Sequence, residues 1–418
     1  MLHNDQMEQS TASVETALER PTLLTSDAPV DHTLPKINKG NASQAKQQEK
    51  QRARQKGPDV VFLVHPAYLT DIPAVLATPN ETARWEPSWW VYLLLPFLWI
   101  VGFYHAHIHP QLRGKSHMVV EDVEYAGVRV QVWIVRHFGR NFRNEWERKF
   151  ARRNVELAAL NAERCGAKVL GLGALNKAEF LNNGGRDLLK ILPSDRTMAV
   201  THGNHLTAAA VVETVRQLHA AGMAQGLPIM FTGATSKTGR AVAFALHKHH
   251  GIPLLCHSAS PERRADLESF GIATTTDFED GASFPMWIIG KYDLRVNAHM
   301  PVGAMACVFA VPNPLVGKRP DVRVVEGATL HLDLSRLSKP RAFANLLKAH
   351  EIFACHAGAI LRGAAAQDLG STDEVGEIDP DSLGDFMQRA NQLGLVVPPL
   401  TLPTPLGSTA AVDPVLQV

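Results

Sequence analysis

The sequence predicts an α/β protein with a Rossmann-like parallel sheet, an N-terminal α+β portion and a helical C-terminal segment. Two observations predict this fold. Short apolar runs that end in glycine or polar turns alternate with stretches of helical periodicity, as they do in doubly wound sheets. At the centre, residues 227–246 (LPIMFTGATSKTGRAVAFAL) follow the order strand, glycine turn, helix, and the first turn of such a helix can bind a pyrophosphate.

Composition sets the limits of this interpretation. At 418 residues the chain can hold two domains and a tail, and its net charge of +1 gives no general attraction for nucleic acid. The 4 cysteines are far apart and form no CxxC pair, which is typical of free thiols in a reducing compartment. Residues 1–57 are polar, basic near their end and unlike a cleaved signal peptide, so we expect a disordered arm, with a transit peptide as the alternative.

An N-terminal α+β portion is predicted over residues 58–164. It begins with a buried strand at 59–66 and continues into the uncharged run 89–104, WWVYLLLPFLWIVGFY, which has aromatic residues at both ends. This run is shorter than the roughly 20 residues of a spanning helix. Its aromatic ends favour contact with a membrane surface or lipid, while a wall of an acyl-chain tunnel and a plain core helix are the alternatives.

Polar features complete this portion. His105, His107 and His109 alternate and could share a metal in an extended chain, but no carboxylate cluster is nearby, so we interpret them as a polar cap and predict no metal. A hairpin at 118–138, with its second strand beginning near Gly127, precedes a basic helix at 144–165. The basic face is either a solvated helix surface or a docking patch for an acidic carrier or anionic headgroups.

The predicted NADP-binding domain covers residues 165–335. It begins with strands at 168–175 and 197–200, and the second strand runs into THGNHLTAAAVV. Asn204 and Thr207 in this turn either cap a helix or face a ligand.

The central glycine turn is the candidate pyrophosphate site. Gly233 allows the chain to leave the strand sharply, and Gly239 allows the helix to pack close to the sheet. Ser236 stands where the usual motif has its middle glycine, so an ordinary tight β–α turn is the alternative.

The strand at 251–258 bears on the choice of cofactor. Enzymes that use NAD usually carry an acidic residue at its end, whereas here Ser258, Ser260, Arg263 and Arg264 follow. Hydroxyl and guanidinium groups suit a 2′-phosphate, so we expect NADPH rather than NADH. A helix cap at Ser260, with Pro261 in the first turn, explains the same residues and is compatible with that function.

A helical segment is predicted over residues 336–400, and a flexible tail over 401–418. Apolar residues at helical spacing from Phe343 onward place Cys355 on or beside a helix. A lone helical cysteine is usually inert core filling. Small neighbours leave room for a substrate, and the adjacent His356 can assist a thiol nucleophile.

Several motifs together resemble one family. HGNHLTAAAVV, FTGATSKTGRAVA, WIIGK, ACHAGAI and DEVGEIDPD are similar to the C-terminal domain of plant eceriferum/wax2/glossy wax-biosynthesis proteins, in particular the aldehyde-forming member. FLVHP, GN-x-x-TA, GATxxxG and AC-x-A show a more distant resemblance to cyanobacterial long-chain acyl-carrier-protein reductases. The motifs keep a consistent order over about residues 60–400.

The resemblance implies reduction of a long-chain acyl thioester, acyl-CoA or acyl-ACP, to a fatty aldehyde by a nicotinamide cofactor. It implies that Cys355 is the nucleophile and that Gly203, Asn204 and Thr207 line the site. The implied cofactor turn consists of Gly233, Thr235, Ser236, Lys237 and Gly239. The plant proteins also carry an N-terminal di-iron membrane domain, which we expect to be missing here, with residues 89–104 as its remnant; oxygen-dependent decarbonylation is therefore not expected.

These observations predict an NADPH-dependent reductase in wax or alkane-type lipid biosynthesis. Cys355 is expected to form an acyl-enzyme, with Asn204 a donor to the oxyanion and His356, His350 or His205 handling the proton. The alternative is a non-catalytic lipid- or partner-binding subunit of a wax-forming complex, with a decarbonylase as the partner. We expect a location at the endoplasmic reticulum membrane surface or in the cytoplasm, with the plastid also possible.

Overall fold

The computed structural model describes residues 57–66, 116–311, 313–315, 318–339, 347–369 and 372–400, and isolated positions between 93 and 104. Within these residues the strands form a five-stranded, a six-stranded and a three-stranded sheet. The predicted tail at 401–418, the three alternating histidines and almost all of the predicted arm lie outside the described residues.

The five-stranded sheet is mostly parallel, in the order β2-β3-β1-β4-β5. Only the β2–β3 hairpin is antiparallel, and it turns at Gly127 as predicted. The strands are β1 (Val60–Val64), β2 (His117–Tyr125), β3 (Val128–Val135), β4 (Val169–Leu172) and β5 (Ala199–Thr201). Among the described residues, the helices between β3 and β5 in the chain are α1 (Gly139–Arg143), α2 (Glu145–Arg164), α3 (Glu179–Asn182) and α4 (Arg186–Ile191).

Strand β1 lies in the middle of this sheet and is buried on both faces. Successive side chains of a strand point to opposite faces, and β1 accordingly supplies two cores. Val61 and Leu63 belong to the core that α2 covers. Val60 and Phe62 belong to the larger core, which also contains residues of the helix that carries Cys355.

The six-stranded sheet is entirely parallel, in the order β11-β10-β9-β6-β7-β8. Numbered from β6, this is the order 3-2-1-4-5-6 of dinucleotide-binding sheets, so the predicted Rossmann-like sheet is confirmed. Its strands are β6 (Ile229–Thr232), β7 (Leu254–His257), β8 (Ala273–Thr275), β9 (Met286–Ile289), β10 (Met305–Val308) and β11 (Arg323–Glu326). The helices of this half are α5 (Asn204–Ala220), α6 (Lys237–His250), α7 (Pro261–Glu268) and α8 (Val296–His299).

Two strands belong to a different sheet from the one predicted. Residues 165–335 were expected to form one domain, but β4 and β5 pair with the first sheet, where Val60 lies opposite Val169. Buried parallel strands are nearly continuous apolar runs, so their sequence does not reveal which strand they will join. The remaining domain boundaries stay predictions.

The C-terminal segment is helical but also contains strands. The small antiparallel sheet is formed by β12 (Thr329–Leu332), β13 (Glu351–Phe353) and β14 (Leu395–Val396), and the helices are α9 (Ala354–Leu369) and α10 (Leu383–Gln392). The helix expected from Phe343 onward is therefore wrong at 351–353, where the chain is extended and pairs with β12. Residues 340–346 lie outside the described residues.

The apolar run 89–104 is described at isolated positions, and these are exposed. Leu93 is 69% exposed and Phe97 62% exposed. Among the described residues, none of the helices has the length and apolar character needed to cross a bilayer. Contact of this run with a membrane surface stays a prediction.

Candidate active site

The candidate site is built on the turn between β5 and α5. Gly203 lies in this turn with φ +61°, a conformation that favours glycine. A Cβ atom on Gly203 would lie 2.3 Å from the carbonyl oxygen of Cys355 and 2.8 Å from its Cα. The glycine therefore allows the start of α9 to approach the turn closely, and this approach brings Cys355 next to Gly203 and Asn204.

Lys177 connects this turn to the end of β4. It lies in a short 3-10 turn, and its Nζ donates to the carbonyl oxygen of His202 at 2.8 Å and to Oδ1 of Asn204 at 2.6 Å. Burial of the amino group lowers its pKa, while the nearby Cys355 and Glu374 oppose that effect. Because Oδ1 of Asn204 accepts this bond, the amide is oriented with its N–H donors directed away from the lysine.

Glu374 holds the other side of the turn. Its carboxylate accepts hydrogen bonds from the hydroxyl of Thr201 (3.0 Å), Nδ1 of His205 (2.7 Å) and Nε of Arg362 (3.0 Å). Burial alone raises the pKa of Glu374, but the hydrogen bonds and charges of His205 and Arg362 outweigh it and lower the pKa to about 2. A permanently ionised carboxylate therefore anchors the turn at neutral pH.

His202 is held neutral in the same turn. Burial lowers its pKa to about 4, and the Lys177 charge acts in the same direction. Its Nδ1 accepts the backbone N–H of Asn204 at 3.2 Å, and its Nε2 lies 3.2 Å from the carbonyl oxygen of Gly376. This pattern requires the tautomer with the proton on Nε2, which donates to Gly376.

The structure separates the three histidines proposed to handle a proton. His205 lies on α5 one residue after Asn204, and its ring stacks on that of Phe386 with the ring centroids 4.9 Å apart. His356 is buried and stacks on Phe62 at 4.3 Å. His350 lies against His331 in the three-stranded sheet, with ring centroids 4.5 Å apart.

The four cysteines differ in environment. Cys256 and Cys307 are buried, and burial raises the pKa of each thiol to about 12, which keeps both thiols protonated at neutral pH. Cys165 is exposed at the end of α2, and Cys355 is partly exposed. Of these thiols, Cys355 alone lies against the turn between β5 and α5, near Lys177.

The glycine turn after β6 has the geometry of a nucleotide-binding turn. Gly233 has φ +83°, and a Cβ there would lie 2.6 Å from the carbonyl carbon of Gly290, at the end of β9. These two strand ends form the crevice where the strand order reverses, which is the usual place for a dinucleotide. Ser236 caps α6 by accepting the N–H of Gly239 at 3.1 Å, and Thr235, which directly precedes Ser236, is half-buried.

Lys237, the first residue of α6, is already engaged in ion pairs. Its Nζ pairs with Glu179 at 2.7 Å and lies 3.8 Å from Glu377. The phosphates of a cofactor would therefore be met mainly by backbone N–H groups at the start of α6, as the helix dipole favours.

The residues expected to contact a 2′-phosphate lie at the end of β7. Arg264 donates to the carbonyl oxygen of Ser258 at 2.9 Å, which brings its guanidinium group to the strand end. Ser260 caps α7 by accepting the N–H of Arg263 at 3.4 Å, and the Arg263 side chain is exposed. Glu262 accepts the Ser260 hydroxyl at 2.8 Å, so that hydroxyl is already engaged.

Thr207 is likewise engaged locally. Its hydroxyl donates to the carbonyl oxygen of Gly203 at 2.9 Å, within the first turn of α5. Thr207 therefore stabilises the turn that carries Asn204.

Sequence analysis missed Lys177, Glu374 and Arg362 as parts of this site. Lys177 follows β4 and Asn204 follows β5, and the two strands are parallel neighbours. Polar residues that follow neighbouring parallel strands meet at the same edge of a sheet. The position of Lys177 after β4 could therefore have indicated a site residue, but only if the pairing of β4 with β5 had been known. Glu374 lies within the DEVGEIDPD motif that supported the family resemblance.

Comparison with known proteins confirms that family resemblance. No protein-family profile matches the chain. The chain is 29% identical over 355 residues to "Very-long-chain aldehyde decarbonylase GL1-2" of Oryza sativa subsp. indica, covering 81% of this chain and 52% of the relative. It is also 29% identical over 357 residues to "Very-long-chain aldehyde decarbonylase GL1-1" of Oryza sativa subsp. japonica, covering 81% and 53%. The chain thus spans about half the length of the curated relatives it matches.

Solved structures include oxidoreductases with limited similarity. Shikimate 5-dehydrogenase (AroE) from Thermus thermophilus, in complex with NADP(H) and shikimate, has a TM-score of 0.34 and 14% identity, covering 80% of this chain and 98% of that one. E. coli K-12 YhdH with bound NADPH has a TM-score of 0.22 and 24% identity, covering 29% and 42%. The fold assignment rests instead on the strand order of the six-stranded sheet.

Proposed function

We propose that the protein reduces a long-chain fatty acyl thioester, acyl-CoA or acyl-ACP, to a fatty aldehyde with NADPH, as a step in wax or alkane-type lipid biosynthesis. The observation that carries the proposal is the position of Cys355 against the Gly203 turn, beside the buried amino group of Lys177 and the oriented amide of Asn204. Relatives named very-long-chain aldehyde decarbonylases support a long-chain lipid substrate.

The reaction begins with attack of the Cys355 thiolate on the carbonyl carbon of the thioester. The C–S bond to CoA or carrier protein breaks, and the leaving thiolate takes up a proton, which leaves the acyl group on Cys355. NADPH, when bound, supplies the hydride that reduces this acyl group. Collapse of the resulting tetrahedral oxyanion breaks the bond to sulfur, releases the aldehyde and returns the Cys355 thiolate.

The residues of the turn have distinct proposed roles. Asn204 donates its amide N–H to the oxyanion, because its Oδ1 is already bound to Lys177. Lys177 and Cys355 lie close enough for their charges to interact, so the amino group would stabilise negative charge on the attacking sulfur. Among the three histidines considered, His205 lies on the same turn as Asn204 and is oriented by Glu374, so we assign it the proton transfer to the leaving thiol.

The residues present fit NADPH at the end of the six-stranded sheet. Backbone N–H groups of the turn 233–239 would hold the pyrophosphate, and Arg264 would reach the 2′-phosphate from the end of β7. We expect tighter binding of NADPH than of NADH, and Arg264→Ala should weaken NADPH binding by about 1.5–3 kcal/mol. Arg263→Ala removes the other arginine of the predicted phosphate site, whose side chain is exposed on the same helix, and measures its contribution to NADPH binding separately. Equal affinity for both cofactors in a calorimetric titration would contradict the assignment.

The acyl-enzyme itself gives the most direct test. Purified protein is incubated with a long-chain acyl-CoA in the absence of NADPH, and the intact mass is measured. We expect one acyl adduct on Cys355, followed by aldehyde when NADPH is added. Cys355→Ser should form neither, while Cys165→Ser, which removes the exposed thiol, should form both.

A non-catalytic lipid- or partner-binding subunit is the second candidate. It is favoured by the exposed apolar side chains of Leu93, Phe97 and Ile100, which a lipid surface or a partner protein could cover. In this case the partner would be a decarbonylase, and the exposed apolar residues near Phe97 would contact a membrane surface. The proposed location is the endoplasmic reticulum membrane surface or the cytoplasm, with the plastid as the alternative. Absence of both adduct and aldehyde, with the protein folded, would favour this candidate.

A further inference from the structure

A second group of metal-type ligands lies outside the candidate active site, in the three-stranded sheet. His331 on β12, His350 immediately before β13 and Glu351 on β13 each offer a ligand atom, and these atoms all lie within 4.8 Å of one another. We call these three residues the β12–β13 cluster. We propose that the β12–β13 cluster binds a divalent transition-metal ion of the zinc class.

The backbone pairing of the sheet creates this arrangement. In the antiparallel register, His331 lies directly opposite Glu351, so both side chains project from the same face. The backbone N–H of Leu332 donates to the carbonyl oxygen of His350 at 2.8 Å, which brings the second histidine alongside the first. Hydrogen-bonded backbone therefore holds all three residues in place.

The side chains of the cluster lie close to the arrangement that a shared ion needs. The rings of His331 and His350 lie nearly perpendicular, at 89°, so their nitrogens can converge on one point rather than stack. Glu351 is 8% exposed, and its Oε2 accepts the backbone N–H of Lys348 at 3.1 Å. A hydrogen bond of this kind orients a ligating carboxylate.

The ligand chemistry indicates zinc rather than calcium or magnesium. Two imidazole nitrogens and one carboxylate oxygen are typical ligands of zinc, which binds them at about 2.0–2.2 Å, whereas calcium and magnesium prefer oxygen ligands alone. Ligand atoms around such an ion lie roughly 3–4 Å apart. The observed separations, up to 4.8 Å, require a small side-chain rotation to reach that distance. Three protein ligands leave a fourth position for water.

A comparable cluster of two histidines and a glutamate in the candidate active site lies among positive charges, which oppose metal binding there. His202, His205 and Glu374 lie as close together, but Glu374 already accepts Nε of Arg362 at 3.0 Å, and the Lys177 charge acts on His202. The positive charges of Arg362 and Lys177 would repel a metal ion bound to that cluster. At the β12–β13 cluster, Oε2 of Glu351 accepts the backbone N–H of Lys348, and the side chain of Lys348 lies close enough to act on His331.

Metal binding at this position would act on the segment that leads to Cys355. The ion would join β12 to β13, and α9 begins at Ala354, directly after β13. Binding to the folded state alone also raises the free energy of unfolding by linkage. The site does not depend on the proposed reductase activity, since its ligands take no part in that reaction.

The test uses the full chain without a histidine tag, freed of metal by chelation and then titrated with Co²⁺ and Zn²⁺. We expect one ion per chain at the cluster, a Co²⁺ absorption spectrum of low coordination number, and a rise in the melting temperature. His331→Ala, His350→Ala and Glu351→Gln should each weaken binding by about tenfold or more. His299→Ala, which removes a surface histidine paired with Glu279 at 3.0 Å, is the matched control and should bind as the wild type does.

Three outcomes would overturn the proposal. The first is no Co²⁺ or Zn²⁺ binding by the folded wild type. The second is binding that all three ligand variants retain, and the third is binding that is lost in His299→Ala instead. If a ligand variant fails to fold, the test uses the wild-type Co²⁺ spectrum and His350→Gln, which changes a partly exposed position. Wild-type Co²⁺ binding that His350→Gln retains unchanged would overturn the proposal.

Discussion

Replacement of Lys177 by methionine tests the candidate site most directly. Methionine has a similar length but no N–H donor, so Lys177→Met removes the bonds to the His202 carbonyl (2.8 Å) and to Asn204 Oδ1 (2.6 Å). Hydrogen bonds from a charged group contribute about 1.5–3 kcal/mol each. The variant also removes an amino group whose burial is unfavourable, as its lowered pKa shows. We therefore expect a net loss of about 1–3 kcal/mol in the free energy of unfolding.

The chemical effect should exceed this effect on stability. Without Lys177, the Asn204 amide can rotate, and loss of one oxyanion donor typically lowers kcat by about 10²–10³. The attacking sulfur of Cys355 also loses a neighbouring positive charge that would stabilise it. Both effects reduce acyl-enzyme formation while leaving the cofactor turn at 233–239 unchanged.

The assay measures alkylation of Cys355 by iodoacetamide as a function of pH, quantified by peptide mass spectrometry, beside aldehyde formation and NADPH affinity. We expect slower alkylation near neutral pH and unchanged NADPH affinity in Lys177→Met. Lys190→Met, which removes an exposed lysine paired with Asp187 at 2.8 Å, is the matched control. If folded Lys177→Met alkylates and forms aldehyde at wild-type rates, the assigned role of Lys177 is wrong.

Three further predictions follow from the geometry. Gly203→Ala should lower the free energy of unfolding by about 2 kcal/mol or more, since its Cβ meets the Cys355 backbone, whereas Gly222→Ala, at φ +76° in open space, should incur only the backbone strain of about 1–2 kcal/mol. Burial lowers the pKa of His202 from its ordinary value of 6.5, which applies to the unfolded chain, to about 4 in the folded protein. Between pH 4 and 6.5 the unfolded chain therefore binds more protons at this histidine than the folded protein does. Stability should therefore fall as the pH drops through this window, by about 2 kcal/mol between pH 7 and 5 in urea unfolding, and His202→Gln should reduce that slope. The exposed apolar residues near Phe97 should make the chain float with liposomes, and serine at Leu93 and Phe97 should reduce flotation; a wild type that stays unbound would contradict membrane contact.

Membrane contact of the run 89–104 is best tested by substitution, because a truncation that removes the run also removes strand β1. Strand β1 precedes it in the chain and pairs with both β3 and β4 in the centre of the first sheet. Val60, Val61 and Leu63 are fully buried there. A chain starting after His109 should therefore lose the sheet, whatever the run itself does.

Local features were determined by the sequence alone, because they depend on residues close together in the chain. Gly233 and Gly239 predicted the turn after β6, and both occupy positions where a Cβ would clash with backbone. Ser260 with Pro261 predicted the start of α7, and Gly127 predicted the hairpin. The alternation of strands and helices was sufficient for the α/β class.

Tertiary structure decided which of these pieces meet. The strands at 169–172 and 199–201 join the first sheet, and residues 351–353 form a strand because β12 lies beside them. Helical spacing alone favoured a helix at 351–353, but pairing with a distant strand outweighed that local preference. The site depends on the same long-range pairing, which brings Lys177, Asn204 and Cys355 together from three separate segments. Parallel strands are joined by long crossovers, so neighbours in the sheet are distant in sequence, and no local pattern identifies them.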